Sequence, residues 1–382
     1  MDNVQIAPGD LAEAGAWDLS GLFIRLGAAI DEVGARRVVL DTVETLFGAF
    51  EDVSILRAEL RRLFTWLKER GVTAVITGER GDGTLTRHGI EEYVSDCVIV
   101  LDHRVSDQTS TRRLRVVKYR GTLHGTNEYP FLIGSRGVSV LPITSLGLQH
   151  SVSMERISSG VESLDEMLGG RGLFRGSSVL ISGTAGTGKS TIAAQFCAAA
   201  CARGERALYF AFEESEAQII KNMASVGMDL GRWVDAGLLQ LRCVRPSLLG
   251  LEAHLAAMQD LVADYAPDVV VMDPISDLLQ VGGGEVSEML IRQVDFLKSR
   301  GVTALFTSLN TYGDEGNAAV QQIGLIDTMV MLKLVEGDGS WHRIIYVLKS
   351  RGMEHSHEIR NLVLSRSGLL ADRVYLQSPV PA

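Results

Sequence analysis

The clearest indication of chemistry comes from the glycines, the lysine and the serine of residues 183–190, GTAGTGKS. This segment, called the phosphate loop below, matches G-x-x-x-x-G-K-[ST], in which backbone N–H groups face phosphate oxygens. Lys189 adds a positive charge against the phosphates, and the Ser190 hydroxyl suits Mg²⁺. The pattern predicts nucleoside triphosphate binding by Gly183, Thr184, Ala185, Gly186, Thr187, Gly188, Lys189, Ser190 and Thr191.

The segments on both sides of the phosphate loop are those that this pattern requires. An apolar strand-like run, 179–181, precedes the loop, and an Ala-rich helical stretch, 192–202, follows it. A helix that begins directly after the loop adds the positive end of its dipole to the anion site. This strand, loop and helix order makes a chance match a poor explanation.

Three carboxylates follow predicted strands of the same half of the chain. Asp273 ends the run 269–272, which suggests Mg²⁺ binding, although the adjacent Pro274 also fits a helix N-cap. Glu213 and Glu214 end the strand 207–212, where one of them can activate a water for attack on the γ-phosphate. The alternative is that this pair begins a helix and favours its dipole.

Two cations close a later predicted strand. Lys349 and Arg351 alternate, so we expect both side chains on one face of the sheet. Next to Gly352 they form a candidate finger that stabilises transition-state charge, although exposed strand charges more often face water. Their recurrence as Lys118 and Arg120 favours the functional interpretation.

Composition excludes several classes of protein. The chain has 382 residues, enough for two to three domains, and its net charge of −10 makes general attraction to nucleic acid or anionic lipid unexpected. Its four cysteines form no C-x-x-C motif, so neither a metal site built from cysteines nor a disulfide is expected. Without a signal-peptide pattern or a long apolar run, we expect a soluble, cytoplasmic protein.

Apolar runs of strand length alternate with amphipathic helical segments along the chain. Helices are predicted at 18–35 and 52–70. The predicted fold class is α/β, with a mostly parallel sheet sandwiched by helices. Predicted strands cover 37–41, 72–77, 97–101, 114–119 and 129–133, then 179–181, 207–212, 269–272, 304–307, 328–332 and 344–348.

An internal repeat relates the two halves of the chain. Asp41 corresponds to Asp273, and residues 67–74 correspond to 297–304. Lys118-x-Arg120-Gly121 corresponds to Lys349-x-Arg351-Gly352, with offsets of 230 to 232 throughout. We therefore predict a tandem duplicated domain, with a first repeat at residues 1–150 and a second at 151–382.

The first repeat has no counterpart of the phosphate loop or of the strand that carries it, because an offset of 231 moves Lys189 to before residue 1. A sheet without that strand should leave backbone unpaired and an apolar face uncovered. Two explanations remain: the true start lies upstream, which we favour, or a partner covers the gap.

Taken together, these motifs resemble the KaiC family of RecA-like P-loop NTPases. The resemblance rests on residues 158–167, the phosphate loop, 212–215, 227–229 and the two K-x-R-G segments, and on 93–96 and 128–131 of the first repeat. It implies that six chains form a homohexameric double ring, with ATP and Mg²⁺ held between neighbouring subunits.

The resemblance also implies roles for individual residues. Lys349 and Arg351, with Arg343 nearby, would reach the nucleotide of the adjacent subunit, as Lys118, Arg120 and Arg112 would in the other ring. Glu213 and Glu214 would be the catalytic carboxylates, and Ser190 with Glu213 the Mg²⁺ contacts. Further nucleotide contacts would come from Ser350, His355, Tyr119, Thr122 and His124.

One departure from the family pattern concerns the site of autophosphorylation. The neighbouring Ser-Thr pair that the family autophosphorylates aligns with Ile323-Gly324, which carries no hydroxyl, and nothing marks out Ser308, Thr311 or Thr328 as a replacement. We therefore expect an ATPase that acts in signalling through a regulatory protein partner. The alternatives are a Ser/Thr autokinase and a nucleotide-gated scaffold with negligible catalysis. A nucleic-acid motor is unexpected, given the net charge.

Overall fold

The computed structural model describes residues 19–44, 53–81, 94–106, 109–134, 137–140, 153–246, 251–278, 285–309, 326–337, 339–365 and 368–374. The chain divides into two compact units. The first contains residues 1–103 and 113–129, and the second contains 104–112 and 130–382. The division falls within three strands and not in a linker, and a domain boundary at residue 150 stays a prediction.

The first unit contains a small parallel sheet with helices on one face. Strand β1 (Arg37–Leu40) pairs with β2 (Thr73–Ile76), with Arg37 opposite Thr73. The helices are α1 (Ser20–Val33) and α2 (Val53–Glu69). In α2 the leucines recur every three or four residues, which places them on one face, as the sequence predicts. They are the buried Leu56, Leu60, Leu63 and Leu67.

Four further strands follow. They are β3 (Cys97–Ser106), β4 (Thr109–Tyr119), β5 (Tyr129–Gly134) and β6 (Gly137–Val140). Strands β5 and β6 pair in antiparallel register, with Phe131 opposite Val140.

A nine-stranded sheet organises the second unit, in the order β11-β10-β12-β13-β9-β14-β15-β16-β17. The strands from β11 to β14 are parallel, and the last three add on in antiparallel fashion, so the sheet is mostly parallel, as predicted. Their bounds are β9 Ser178–Gly183, β10 Ala207–Ala211, β11 Leu239–Cys243, β12 Val269–Asp273, β13 Thr303–Leu309, β14 Thr328–Gly337, β15 Ser340–Ser350, β16 Arg360–Ser365 and β17 Gly368–Val374. A separate pair consists of β7 (Arg156–Ile157) and β8 (Leu173–Phe174).

Helices cover both faces of this sheet because its central strands carry apolar side chains on both faces. In β12, Val271 packs with Phe196 of one helical layer, whereas Val270 packs with Leu255 and Leu297 of the other. The helices are α3 (Glu162–Met167), α4 (Lys189–Ala202), α5 (Glu216–Ser225), α6 (Gly231–Asp235), α7 (Leu251–Tyr265) and α8 (Glu285–Ser299). Among the described residues, no helix is long and apolar enough to cross a membrane.

Candidate nucleotide-binding site

The phosphate loop connects the fully buried strand β9 to α4 at the carboxyl edge of the parallel strands, where ligands bind in open α/β sheets. Two glycines are required there. A Cβ on Gly183 would lie 2.5 Å from the carbonyl oxygen of Leu332 on the neighbouring strand. Gly188 has a φ of +101°, which other residues rarely adopt. These glycines therefore let the loop curl tightly over the end of the sheet.

Lys189 is the first residue of α4, and its side chain is almost completely buried. Its Nζ donates to the carbonyl oxygens of Gly183 and Thr184, both at 2.9 Å. Burial lowers the pKa of this ammonium, and the charges of Asp273 and Glu213 oppose that effect. The lysine charge is therefore held inside the loop, where a phosphate would take up its donors.

A threonine hydroxyl of the phosphate loop is buried without a hydrogen-bond partner in the described part of the chain. Thr184 Oγ1 has no hydrogen-bond partner among the residues that the structure describes, whereas Thr187 Oγ1 donates to the carbonyl oxygen of Thr184 at 2.8 Å. A buried hydroxyl without a partner is costly, and a phosphate oxygen would satisfy it. The loop therefore fits the polyphosphate that its sequence predicts.

A pocket beside the loop brings the predicted carboxylates together. Ala211 of β10 lies opposite Asp273 of β12, so the residues that follow β10 reach the end of β12. The pocket is lined by Ser190, Tyr209, Ala211, Glu213, Glu214, Ile219, Met223 and Asp273. The structure thus places Ser190, Glu213, Glu214 and Asp273 around one space.

The two adjacent glutamates have different environments. Burial, then the charges of Asp277 and Asp273, raises the pKa of Glu213, and Lys189 opposes these effects. Glu214 Oε2 accepts a hydrogen bond from Asn222 Nδ2 at 3.2 Å. Neither belongs to a helix: α5 begins after them, with Ser215 as its N-cap in a capping box with Gln218. The alternative of a dipole-favouring first-turn pair is therefore wrong.

Asp273 is buried and held by two hydroxyls. Its Oδ2 accepts from Tyr209 Oη at 2.5 Å, and its Oδ1 accepts from Thr307 Oγ1. Neighbouring strands therefore orient this carboxylate, in place of the helix N-cap role that the sequence left open. Tyr209 and Thr307 carry no signal in the sequence, since both stand in apolar strands.

The oxygen ligands in the pocket are of the kind that Mg²⁺ prefers. Ser190, Glu213 and Asp273 supply a hydroxyl and two carboxylates, and Mg²⁺ beside nucleotides is usually held by one or two carboxylates with phosphate oxygens. Within the described ranges, no group of three or more His, Cys, Asp or Glu side chains is placed to hold a metal. Ser190, Glu213 and Asp273 fit a metal that is bound together with a nucleotide, because phosphate oxygens would complete its set of oxygen ligands.

Lys349 and Arg351 lie at the amino edge of the sheet, opposite the phosphate loop. Ser350 pairs with Thr328, which pairs in turn with Val179 near the start of β9, and Arg351 N donates to the carbonyl oxygen of Asp327. Arg351 is the first residue of the turn after β15, so strand alternation ends before it, and a sheet face shared with Lys349 stays a prediction. Burial, then Arg351, lowers the pKa of Lys349.

Arg343 lies at the other end of β15. Its Nε donates to the carbonyl oxygen of Gly186 in the phosphate loop of the same chain, at 2.9 Å. Six residues of extended strand separate it from Lys349, about 20 Å. The expectation that Arg343 lies near Lys349 and Arg351 is therefore wrong, because an extended strand places its two ends at opposite edges of the sheet.

The other residues implied by the resemblance are spread over both units. Ser350 Oγ lies 2.8 Å from Thr328 Oγ1, and the ring of His355 contacts that of His357. In the first unit, Lys118 and Tyr119 end β4, Arg120 pairs with Asp96, and Thr122 and His124 follow. Arg112 lies within β4.

A profile of KaiC ATPases matches residues 2–145 and 157–370 of the chain. The chain belongs to the KaiC family. Its fold is accordingly that of the RecA-like P-loop ATPases, with a site for a nucleotide. The predicted resemblance and fold class are confirmed.

Curated relatives of this KaiC-family chain carry circadian clock names. A KaiC2 of Synechocystis is 49% identical over 98% of this chain and 67% of its own length. A KaiC oscillator protein of Acaryochloris marina is 37% identical over 93% of this chain and 69% of its own. A KaiC3 of Synechocystis is 36% identical over 95% of this chain and 73% of its own.

Proposed function

We propose that this KaiC-family chain hydrolyses ATP with Mg²⁺ at the interfaces between copies of itself in a hexameric ring, and that its nucleotide state signals to a regulatory protein partner. One observation carries the proposal: the phosphate loop and its carboxylates lie at one edge of the sheet, while Lys349 and Arg351 lie at the other. A complete site then needs the loop of one copy and the cations of the next.

Each group has a distinct part in the proposed reaction. The phosphate loop and Lys189 bind and orient the polyphosphate, and Ser190 with the pocket carboxylates would hold an Mg²⁺ ion that supplies further positive charge to the phosphates. Glu213 accepts the proton of the attacking water and Glu214 orients that water, since both carboxylates line the pocket beside the loop. Phosphoryl transfer needs little more than such positioning and charge stabilisation.

The finger cations cannot serve the loop of their own chain. Four residues separate Val179 from Gly183 along β9, about 13 Å in an extended strand, and the finger lies beyond the near end of that stretch. Heterologous contacts that close into a ring would bring one edge of each subunit to the opposite edge of the next. The positions of Lys349 and Arg351 therefore support catalysis across an interface.

Two features favour water over a protein hydroxyl as the acceptor. Thr328 is buried, and its Oγ1 is within hydrogen-bond distance of Ser350 Oγ, while Ser308 is fully buried on β13. Neither is accessible to a phosphoryl donor without local opening. Ile323-Gly324 and Thr311 lie outside the described residues. Incubation with γ-labelled ATP followed by peptide mass mapping tests the autokinase alternative, which a mapped phosphoresidue would support.

The carboxylate assignment is tested by replacing both glutamates. We expect Glu213→Gln with Glu214→Gln to lower phosphate release by about 10²-fold or more, while a fluorescent ATP analogue still binds. Glu216→Gln is the matched control, because it removes an exposed carboxylate from the first residue of α5, which does not line the pocket. Undiminished turnover in the double variant would refute the assignment.

The interface is tested by mixing two inactive variants. Lys189→Ala lacks the loop cation and Arg351→Ala lacks the finger, so each alone should release little phosphate. In mixed rings, an intact loop meets an intact finger at about one junction in four, and activity should recover to about that fraction. Light scattering with ATP and Mg²⁺ checks that rings form. Mixed rings without recovery would contradict catalysis across the interface, and tight ATP binding without turnover in the unmutated ring would favour a scaffold.

A further inference from the structure

The carboxylate of Asp273 is clamped from two neighbouring strands. Tyr209 of β10 donates to Oδ2 at 2.5 Å, and Thr307 of β13 donates to Oδ1. All three side chains are buried, and Asp273 and Tyr209 both line the pocket that holds Ser190 and Glu213. A carboxylate in the middle strand is thus fixed by a hydroxyl on each side of it.

Two hydrogen bonds of this kind fix the orientation of a carboxylate. The two oxygens together offer about four lone-pair directions, and the two hydroxyls occupy one direction on each oxygen. With both oxygens held, the plane of the carboxylate cannot rotate, so its remaining lone pairs keep one direction. Hydrogen bonds from residues outside the coordination sphere orient metal ligands, and the loss of one commonly lowers metal affinity about 10–100-fold.

A packing role alone does not explain the position of the Tyr209 hydroxyl. A tyrosine hydroxyl that leaves water needs some hydrogen-bond partner, and a backbone carbonyl can supply it, as for the half-buried Tyr265, which donates to the carbonyl oxygen of Gly237 at 2.9 Å. Tyr209 instead donates to the one buried carboxylate that lines the pocket. Its hydroxyl therefore acts on the group that faces the nucleotide site.

We infer that Tyr209 is a positioning residue, which together with Thr307 orients Asp273 toward the metal that accompanies the nucleotide. This inference rests on the proposed function, because it assumes a metal-nucleotide complex in the pocket. Tyr209 itself touches no phosphate in this arrangement. It acts through Asp273, by restricting the carboxylate to the orientation in which it meets the metal or a water bound to the metal.

The test removes one hydroxyl and measures metal binding directly. Mn²⁺ is titrated into the full chain with a non-hydrolysable ATP analogue, and free Mn²⁺ is counted by electron paramagnetic resonance. Tyr209→Phe should weaken Mn²⁺ binding about tenfold. Binding of the analogue without metal should change less than about twofold, because the loop is untouched.

Tyr265→Phe is the control, since it removes a tyrosine hydroxyl that bonds a backbone carbonyl at the end of α7, among residues that do not line the pocket, and it should leave Mn²⁺ affinity unchanged. Should Tyr209→Phe fail to fold, Thr307→Val tests the other arm of the clamp, and Thr307→Ser, which keeps the hydroxyl, should restore the affinity.

The outcomes separate this inference from the function on which it rests. Unmutated chain that binds neither the analogue nor Mn²⁺ would overturn the proposed function. Unmutated chain that binds both, beside a folded Tyr209→Phe chain that binds Mn²⁺ equally well, would overturn the positioning role alone.

Discussion

The first repeat exposes apolar side chains at positions that the second repeat buries. Four of them are between 53% and 65% exposed, whereas their counterparts are between 0% and 1% exposed. In the second repeat, β9 and the apolar side of α4 cover these positions. The pairs are Val39 and Val271, Val75 and Leu305, Ile99 and Val330, and Leu101 and Leu332.

Strand pairing differs in the same way. In the second repeat β9 lies between β13 and β14 and pairs with both. In the first repeat their counterparts β2 and β3 belong to separate sheets of the described chain. Within the described residues, the repeats therefore differ by one strand and one helix, β9 and α4, which join the parallel strands into one sheet and bury one of its faces in the second repeat.

Many local contacts nevertheless recur in both repeats. Thr77 donates to Asp41 as Thr307 donates to Asp273. The backbone N–H of Val43 donates to the carbonyl of Thr77 at 3.0 Å, and that of Ile275 to Thr307 at 2.8 Å. These contacts lie between adjacent strands, so they form in the first repeat although its described residues include no counterpart of β9 and α4.

The largest difference in unfolding free energy between the repeats should come from the sheet face that is buried in the second repeat and exposed in the first. Val271→Ala removes buried methyl groups and should cost about 2–3 kcal/mol of unfolding free energy. Val39→Ala, the same change at the exposed counterpart, should stay within about 0.5 kcal/mol. Urea denaturation followed by circular dichroism, with hydrogen exchange to assign each transition to a unit, measures both. Equal losses would mean that the face of the first repeat is covered in solution.

A smaller contrast is expected at the threonine that contacts the aspartate. Thr307→Val leaves a buried carboxylate oxygen with one partner fewer and should cost about 1–3 kcal/mol. Thr77→Val affects an exposed pair, where water replaces the lost hydroxyl, so we expect less than about 0.5 kcal/mol. The same denaturation series decides, and a matching cost at Thr77 would show that Asp41 is shielded from water.

The smallest contrast concerns an ion pair that both repeats share. Lys298 lies 2.8 Å from Asp327 and is mostly buried, while its counterpart Lys68 lies 3.2 Å from Asp96 and is exposed. Lys298→Met should cost about 1 kcal/mol, and Lys68→Met within about 0.5 kcal/mol. Repeating both measurements in about 1 M salt should reduce any effect of Lys68 first, because screening acts on exposed charges. An effect of Lys68 that persists in salt would argue against this account.

Much of the site was predictable because its residues belong to patterns that can be recognised in the sequence. The phosphate loop has a fixed spacing that serves one geometry, and Glu213, Glu214 and Asp273 each follow an apolar strand. In parallel sheets such positions meet at the carboxyl edge, so the pocket follows from the strand order. Which carboxylate contacts which partner required the structure.

Other parts of the site were not predictable from local patterns. Tyr209 and Thr307 look like ordinary strand residues, and only the register of β10, β12 and β13 places their hydroxyls on Asp273. Arg343 and Lys349 are six residues apart in sequence, but the extended β15 places them at opposite edges. A contact between distant strands depends on sheet order, which short-range spacing does not contain.

The sequence by itself determined the α/β class and the nucleotide loop, because periodicity and motif spacing are local properties that each segment carries alone. It also determined the internal repeat, because similar motifs recur at a nearly constant offset. Only the tertiary structure decided that Asp273 is clamped, that the finger cations lie away from their own loop, and that one repeat covers the face that the other exposes. The physical reason is that burial and hydrogen-bond pairing depend on which segments pack together, and packing joins residues that are far apart in the chain.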